Sequence, residues 1–276
     1  MDKEKALKRG EWLTRMRPLE LALFLKWALR VRRLETEVQG IRMWVDPASN
    51  FGKRVLREGN YEADLTGAFR ELLQPGQTFV DVGANEGWFS MLAAGLVGPT
   101  GRVLACEPQE RLWAVIAKNI FLNGYANVQL LPFAVAEQSG EAVINLYPSL
   151  NTGSSNISDS KRRWETQQRI KLLPLTEILE SLNGSPVDLM KVDVEGFEHK
   201  VLESAGDHLG TTIRSLVVEL HPEQLEALGS TVDAVMRLLE SRGYTKETSS
   251  GVDVWRLGGT GNGVKAANAL AGRVAA

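Results

Sequence analysis

Residues 77–90, Gln-Thr-Phe-Val-Asp-Val-Gly-Ala-Asn-Glu-Gly-Trp-Phe-Ser, constrain the fold more than any other stretch. Thr78 to Val82 is a short β-favouring run that holds one carboxylate, Asp81, and is broken by Gly83. From Glu86 the pattern turns helical, with Phe89, Leu92, Ala93 and Leu96 at helical spacing. Strand, glycine turn and helix, in that order, make the first unit of an open α/β sheet. The ligand crevice of such a sheet lies beyond the carboxyl ends of its strands. Gly83 and Gly87 are expected to bring backbone close to that ligand with no Cβ in the way. The first-turn amides of the helix are then left to meet it.

The departures from the dinucleotide fingerprint say what the ligand is. Gly-x-Gly-x-x-Gly needs three glycines to pass a pyrophosphate, and Gly83-Ala-Asn85-Glu-Gly87 supplies two at another spacing. Asp81 and Glu86 would also set negative charge beside a phosphate. Gly101-Arg-Val-Leu-Ala-Cys-Glu-Pro108 reads as the second strand and ends in Glu107, whose two oxygens suit the two hydroxyls of a ribose. A nucleoside with an ammonium-bearing tail and no phosphate fits this pair of acids. S-adenosylmethionine is such a molecule.

Phe79-Val-Asp-Val-Gly-Ala-Asn-Glu-Gly87, Glu107-Pro108 and Asp188-Leu-Met-Lys-Val-Asp-Val-Glu-Gly196 resemble the FkbM family of class I S-adenosylmethionine-dependent methyltransferases, over residues 59–220. The first of these motifs is general to class I enzymes; Lys191-x-Asp193-x-Glu195-Gly196 points to this family. The resemblance implies an α/β, Rossmann-like, seven-stranded and mostly parallel sheet with helices on both faces. It also implies methylation of a hydroxyl oxygen, on a sugar-like or secondary-metabolite acceptor. Tyr61 and Glu62 resemble the family's segment that folds over the cofactor. Ala134, within Phe133-Ala-Val-Ala136, occupies the place where class I enzymes bind adenine. The implied cofactor-binding set is therefore Tyr61, Glu62, Asp81, Gly83, Asn85, Gly87, Glu107, Pro108, Ala134 and Asp193.

The carboxyl end of the fourth strand faces the cofactor methyl in this architecture. Lys191, Asp193 and Glu195 alternate, which places them on one side of an extended segment. Asp193 is placed to contact the methionine end or the nucleophile. Glu195 is a candidate base, with His221 from the neighbouring strand end as the alternative. Lys191 either holds Asp193 ionised or lowers the pKa of the acceptor hydroxyl. The plainer reading is a structural Lys191–Asp193 pair with Glu195 capping the next helix. Asp193, Glu195, Glu219 and His221 also have the ligand chemistry of a magnesium or manganese site, although a metal-independent reaction is expected.

The 276 residues, 43% of them apolar, suffice for one full-sized core and an appendage. Three regions are expected: a basic helical segment at 1–40, the catalytic domain at 41–257 and a flexible tail at 258–276. Residues 1–33 carry ten Lys/Arg against four Asp/Glu, a net +6, and the remainder a net −8. Leu19–Leu29 is an apolar run flanked by Arg15, Arg17, Arg30, Arg32 and Arg33, too short to span a bilayer. It suits a membrane surface, a dimer partner or packing on the domain, so peripheral membrane contact or homodimerisation is assigned to residues 11–33. The loop Asn151–Asn156, with Arg162, Arg163 and Trp164 beyond it, has groups that suit a polar, sugar-like surface.

One cysteine, Cys106, excludes a disulfide framework and fits a reducing cytosol. The charged N-terminus lacks a signal-peptide pattern. The protein is thus expected to be cytoplasmic, in places peripheral to a membrane, with a small-molecule or glycan hydroxyl acceptor. A net charge of −2 argues against nucleic-acid partners. Two other classes stand beside the methyltransferase. One is an NAD-linked oxidoreductase, opposed by the missing third glycine; the other is a cofactor-binding assembly protein without turnover.

Overall fold

In the computed structural model, which describes residues 2–147 and 166–258, the segment before the sheet holds two helices, α1 (Lys3–Arg15) and α2 (Leu19–Ala28). Pro18 stands just outside α2 in extended conformation. Leu13 and Ala22 bury against Val31 and Ala48, with Met16, Leu19, Leu23 and Leu25 around them. A hairpin follows, β1 (Leu34–Val38) with β2 (Ile41–Val45), and so residues 34–38 are strand where a helical segment to residue 40 is expected. Leu-Glu-Thr-Glu-Val alternates, with Thr36 and Val38 buried and both glutamates exposed, which is a period of two rather than 3.6. Two more helices, α3 (Asn50–Glu58) and α4 (Ala63–Leu72), lead to the main sheet.

That sheet is built from β3 (Thr78–Val82), helix α5 (Trp88–Val97), β4 (Arg102–Cys106), helix α6 (Glu110–Asn123) and β5 (Val128–Leu131). Three short strands, β6 (Ala134–Val135), β7 (Gly140–Leu146) and β8 (Thr166–Leu173), then form a separate sheet in the order β6-β8-β7. Helix α7 (Leu175–Glu180) returns to β9 (Leu189–Val192), helix α8 (Glu198–Glu203) and β10 (Ser215–Val218). Helices α9 (Pro222–Ala227) and α10 (Val232–Ser241) precede the antiparallel pair β11 (Tyr244–Ser249) and β12 (Val252–Leu257). Thr231 caps α10, its side chain accepting from the Ala234 amide.

The seven strands run in the order β11-β12-β10-β9-β3-β4-β5. Pairs β10–β9, β9–β3, β3–β4 and β4–β5 are parallel, and β12 is antiparallel to β10. The chain therefore has the expected seven-stranded, mostly parallel α/β sheet. Alternation sends Val80, Val82, Leu104 and Met190 to one core, with α7, α8 and α10. Phe79, Val103, Leu189 and Val217 go to the other, with Phe69, Trp88, Phe89 and Leu92. Strand order reverses between β3 and β9, which puts the ligand crevice over their carboxyl ends. No helix among the described residues is long and apolar enough to cross a membrane. The expected recognition loop at 151–156, with Arg162, Arg163 and Trp164, and the tail from residue 259 lie outside the described residues.

Candidate active site

A cavity of about 210 Å³ opens over the carboxyl ends of β3, β4, β9 and β10. Its walls include Tyr61, Glu62, Gly83, Asn85, Glu107, Pro108, Ala134, Asp193, Glu195 and His221. Of the residues singled out from the sequence, Asp81, Gly87 and Lys191 are not in this lining. The cavity thus gathers residues from four strand ends and from the turn before α4.

On the β3–β4 side the backbone does the positioning. A Cβ on Gly83 would meet the Asp193 carbonyl oxygen at 2.0 Å, and its φ is +91°. Gly83 is thus required by the close approach of the chain after β9. Asn85 (φ 49°) donates its amide to Glu107 Oε2 at 2.7 Å, and the Gln109 amide donates to Oε1 at 2.8 Å. Each Glu107 oxygen keeps a second lone pair for the cavity. Burial pushes its pKa up to about 7 against these two backbone bonds. Phe133, Ile144 and Ile170 add an apolar wall, most of it from the small sheet.

On the β9–β10 side charged side chains face one another. His221 Nδ1 donates to Glu198 Oε1 at 2.8 Å, and the Gly196 amide donates to the same oxygen at 2.8 Å. The Glu198 side chain is 0% exposed. His221 Nε2 is left 3.9 Å from both Asp193 Oδ1 and Glu195 Oε2. The bond to Glu198 raises His221 to about 9, with Glu195 adding and burial opposing. Burial raises Glu195, whose backbone sits at φ 50°, and burial with Asp193 raises Glu219. Left-handed non-glycine backbone is costly, and Glu62, Asn85 and Glu195, all in this condition, line the cavity.

The three residues outside the lining have physical reasons for being there. Asp81 shares the Phe79 side of β3, so it points beneath α5, where Ser90 Oγ donates to it at 2.6 Å. Burial raises its pKa, with Lys191 and Ser90 opposing. It is 1% exposed and outside the cavity lining, so the residue expected to contact the cofactor does not face the cavity. Gly87 caps α5 at φ 84°, and a Cβ there would meet Ile116 rather than the cavity. Lys191 shares the Leu189 side of β9 and is 3% exposed, 5.3 Å from the Phe89 ring. Its ammonium bonds Asp193 Oδ2 at 2.7 Å. Burial would lower its pKa, but Asp193 and Asp81 outweigh that and raise it.

The extended alternation expected for Lys191, Asp193 and Glu195 ends at Val192, because Glu195 is left-handed. Glu195 does not cap α8; Phe197 stands there, with no side-chain cap bond. Glu86 is also turned away from the main cavity and pairs with Arg33 at 2.5 Å. The charge that disfavours a phosphate is carried instead by Glu62, Glu107, Asp193, Glu195 and Glu219, all in the lining. Glu198 escapes sequence reasoning. A first-turn glutamate on a helix is ordinary, and only the fold brings it to a histidine 23 residues away. Asp193, Glu219 and His221 each bring one ligand atom within 4.8 Å of the others, so by distance they could hold a cation. The Lys191 ammonium already balances Asp193.

A model of the methyltransferase FkbM domain matches residues 81–246, more than half of the chain. The chain belongs to the FkbM methyltransferase family. S-adenosylmethionine is accordingly its methyl donor, and the NAD-linked alternative falls. The chain is 26% identical over 208 residues to the AMB antimetabolite synthetase AmbE of Pseudomonas aeruginosa, covering 63% of this chain but only 10% of AmbE. It is 28% identical over 200 residues to the 31-O-demethyl-FK506 methyltransferase FkbM of Streptomyces tacrolimicus, covering 63% of this chain and 74% of that one. Among solved structures, SMU.1697c of Streptococcus mutans, in complex with SAH, is 10% identical with a TM-score of 0.42, covering 71% of this chain and 96% of that one.

The cavity of this FkbM chain fits the donor. Glu107 offers two acceptor oxygens for a ribose diol, and the acidic residues around it suit ammonium and sulfonium charge. The wall of Phe133, Ile144 and Ile170 suits the faces of a purine.

Proposed function

We propose that the chain methylates a hydroxyl oxygen on a small polar acceptor, sugar-like or a secondary metabolite, with His221 taking the hydroxyl proton. The observation that carries this reading is the buried Glu198 carboxylate, which fixes the His221 ring through Nδ1 and leaves Nε2 toward Asp193 and Glu195. An orienting carboxylate, a histidine and an open position beyond it form the arrangement of a general base. When bound, the donor supplies an electrophilic methyl on a sulfonium. Glu107 would hold its ribose, and Asp193, itself held by Lys191, would face its positive charge. Tyr61 packs against Phe51 and Phe89 beside Glu62 and would close the wall over the cofactor.

The base must be neutral to work, and His221 with a pKa of about 9 is mostly cationic at neutral pH. Positive charge on the bound donor pulls that pKa down. Turnover should therefore rise with pH through a limb below about 9. Glu195, aimed into the cavity by its left-handed backbone, supports a second reading in which it takes the proton. The test is S-adenosylhomocysteine release with a panel of methyl glycosides and hydroxylated aromatics, with mass analysis of the products. Methyl ethers support the reading; methylamines, or no product under any condition, overturn it. Chelator should leave the rate unchanged, because Lys191 balances Asp193.

A further inference from the structure

We propose that the exposed face of α2 is a docking surface for an anionic lipid membrane. Five of the seven exposed large apolar side chains among the described residues fall between residues 12 and 29: Trp12, Leu21, Phe24, Trp27 and Leu29. Leu21, Phe24 and Trp27 recur every three residues and so follow one another along one side of the helix. Trp27 is 76% exposed and Phe24 58%, and their rings lie 6.0 Å apart. The helix uses a different face, centred on Ala22, to pack on α1 and Ala48. Intramolecular packing thus accounts for part of the apolar run and leaves its largest aromatics outside.

Charge chooses the occupant. Arg15, Arg17, Arg30 and Arg32 are exposed around this face, and residues 1–33 carry a net +6. A symmetric pairing of two copies through the same patch would press two such basic segments together. An anionic bilayer meets them with the opposite charge and takes Trp, Phe and Leu into its interfacial layer. The surface is also fixed on the domain. Lys26 pairs with Asp46, Arg33 with Glu86, and Arg57 Nε donates to Glu11 at 2.9 Å.

The test uses the full chain and sucrose-loaded vesicles of phosphatidylcholine, with or without phosphatidylserine, at low and high salt. A Phe24→Ser/Trp27→Ser variant removes the exposed aromatics of α2 without touching the core. The expected result is co-sedimentation with the phosphatidylserine vesicles that falls at least about tenfold at high salt, where screening shortens the reach of charge, and as far in the variant, whose circular dichroism is unchanged. Equal binding to neutral vesicles, or none to either kind, overturns the proposal. So does light scattering that shows a dimer in the wild type and a monomer in the variant, because the patch then serves a second copy.

Discussion

The two sides of the cavity are built differently. Beside β3 and β4, the Glu107 carboxylate is held by backbone amides of Asn85 and Gln109, and Gly83 lets two chain segments touch. Beside β9 and β10, the arrangement depends on side chains reaching one another: Lys191 to Asp193, Glu198 to His221. The first side rests on backbone groups, with 22 positions between Asn85 and Glu107. The second joins residues up to 23 positions apart and carries groups whose pKa values are displaced toward proton exchange. Binding and chemistry should thus be separable by mutation.

The largest effect should come from His221→Gln, with kcat falling ~10²–10⁴-fold while cofactor affinity holds, the loss expected for a general base. Single-turnover kinetics beside calorimetry measure it. If the loss moves to Glu195→Gln instead, the comparison survives but the base is reassigned.

Next is Gly83→Ala, which forces a Cβ into the Asp193 carbonyl at φ +91°. A cost of ~2–4 kcal/mol is expected for such strain and overpacking, visible as a lower midpoint in thermal unfolding. An unchanged midpoint would mean that the two sides do not meet as described.

Glu107→Ala should weaken S-adenosylhomocysteine by ~1–3 kcal/mol, since it strips the acceptors from a buried hydrogen bond. The wild-type affinity should also depend on pH. Free Glu107 titrates at about 7, and ribose hydroxyls donate more strongly to its ionised form. Affinity should therefore be full above pH 7 and fall as pH drops through that value. A flat calorimetric profile from pH 6 to 8 would remove Glu107 from the ribose.

The smallest effect is a shift rather than a loss. Glu198→Gln keeps an acceptor near His221 but removes the charge that raises it to about 9. The rising limb of the pH–rate profile should move to lower pH. A limb that stays in place while the rate falls would reduce Glu198 to a packing role.

Much of the fold was readable because β3, β4 and β9 are apolar runs ended by glycine, proline or acid at the crevice. The holding side was readable for the same reason, since Gly83, Asn85 and Glu107 lie within or just after two such runs. Asp81 misled because its place in the motif matters less than its parity on β3, which sends it under α5. The strand Leu34–Val38 had an alternating signal, masked by the basic helical segment before it. Glu198 had none, because its meaning comes from His221.

The central claim is that one cavity holds the donor through β3–β4 and runs the chemistry from β9–β10. The most direct test titrates S-adenosylhomocysteine into Glu107→Ala and His221→Gln and measures their turnover at saturating donor. The account predicts a split. Glu107→Ala loses affinity and recovers much of its rate at saturation, while His221→Gln binds normally and stays slow. Equal loss of binding in both variants, or full turnover by His221→Gln, would contradict it.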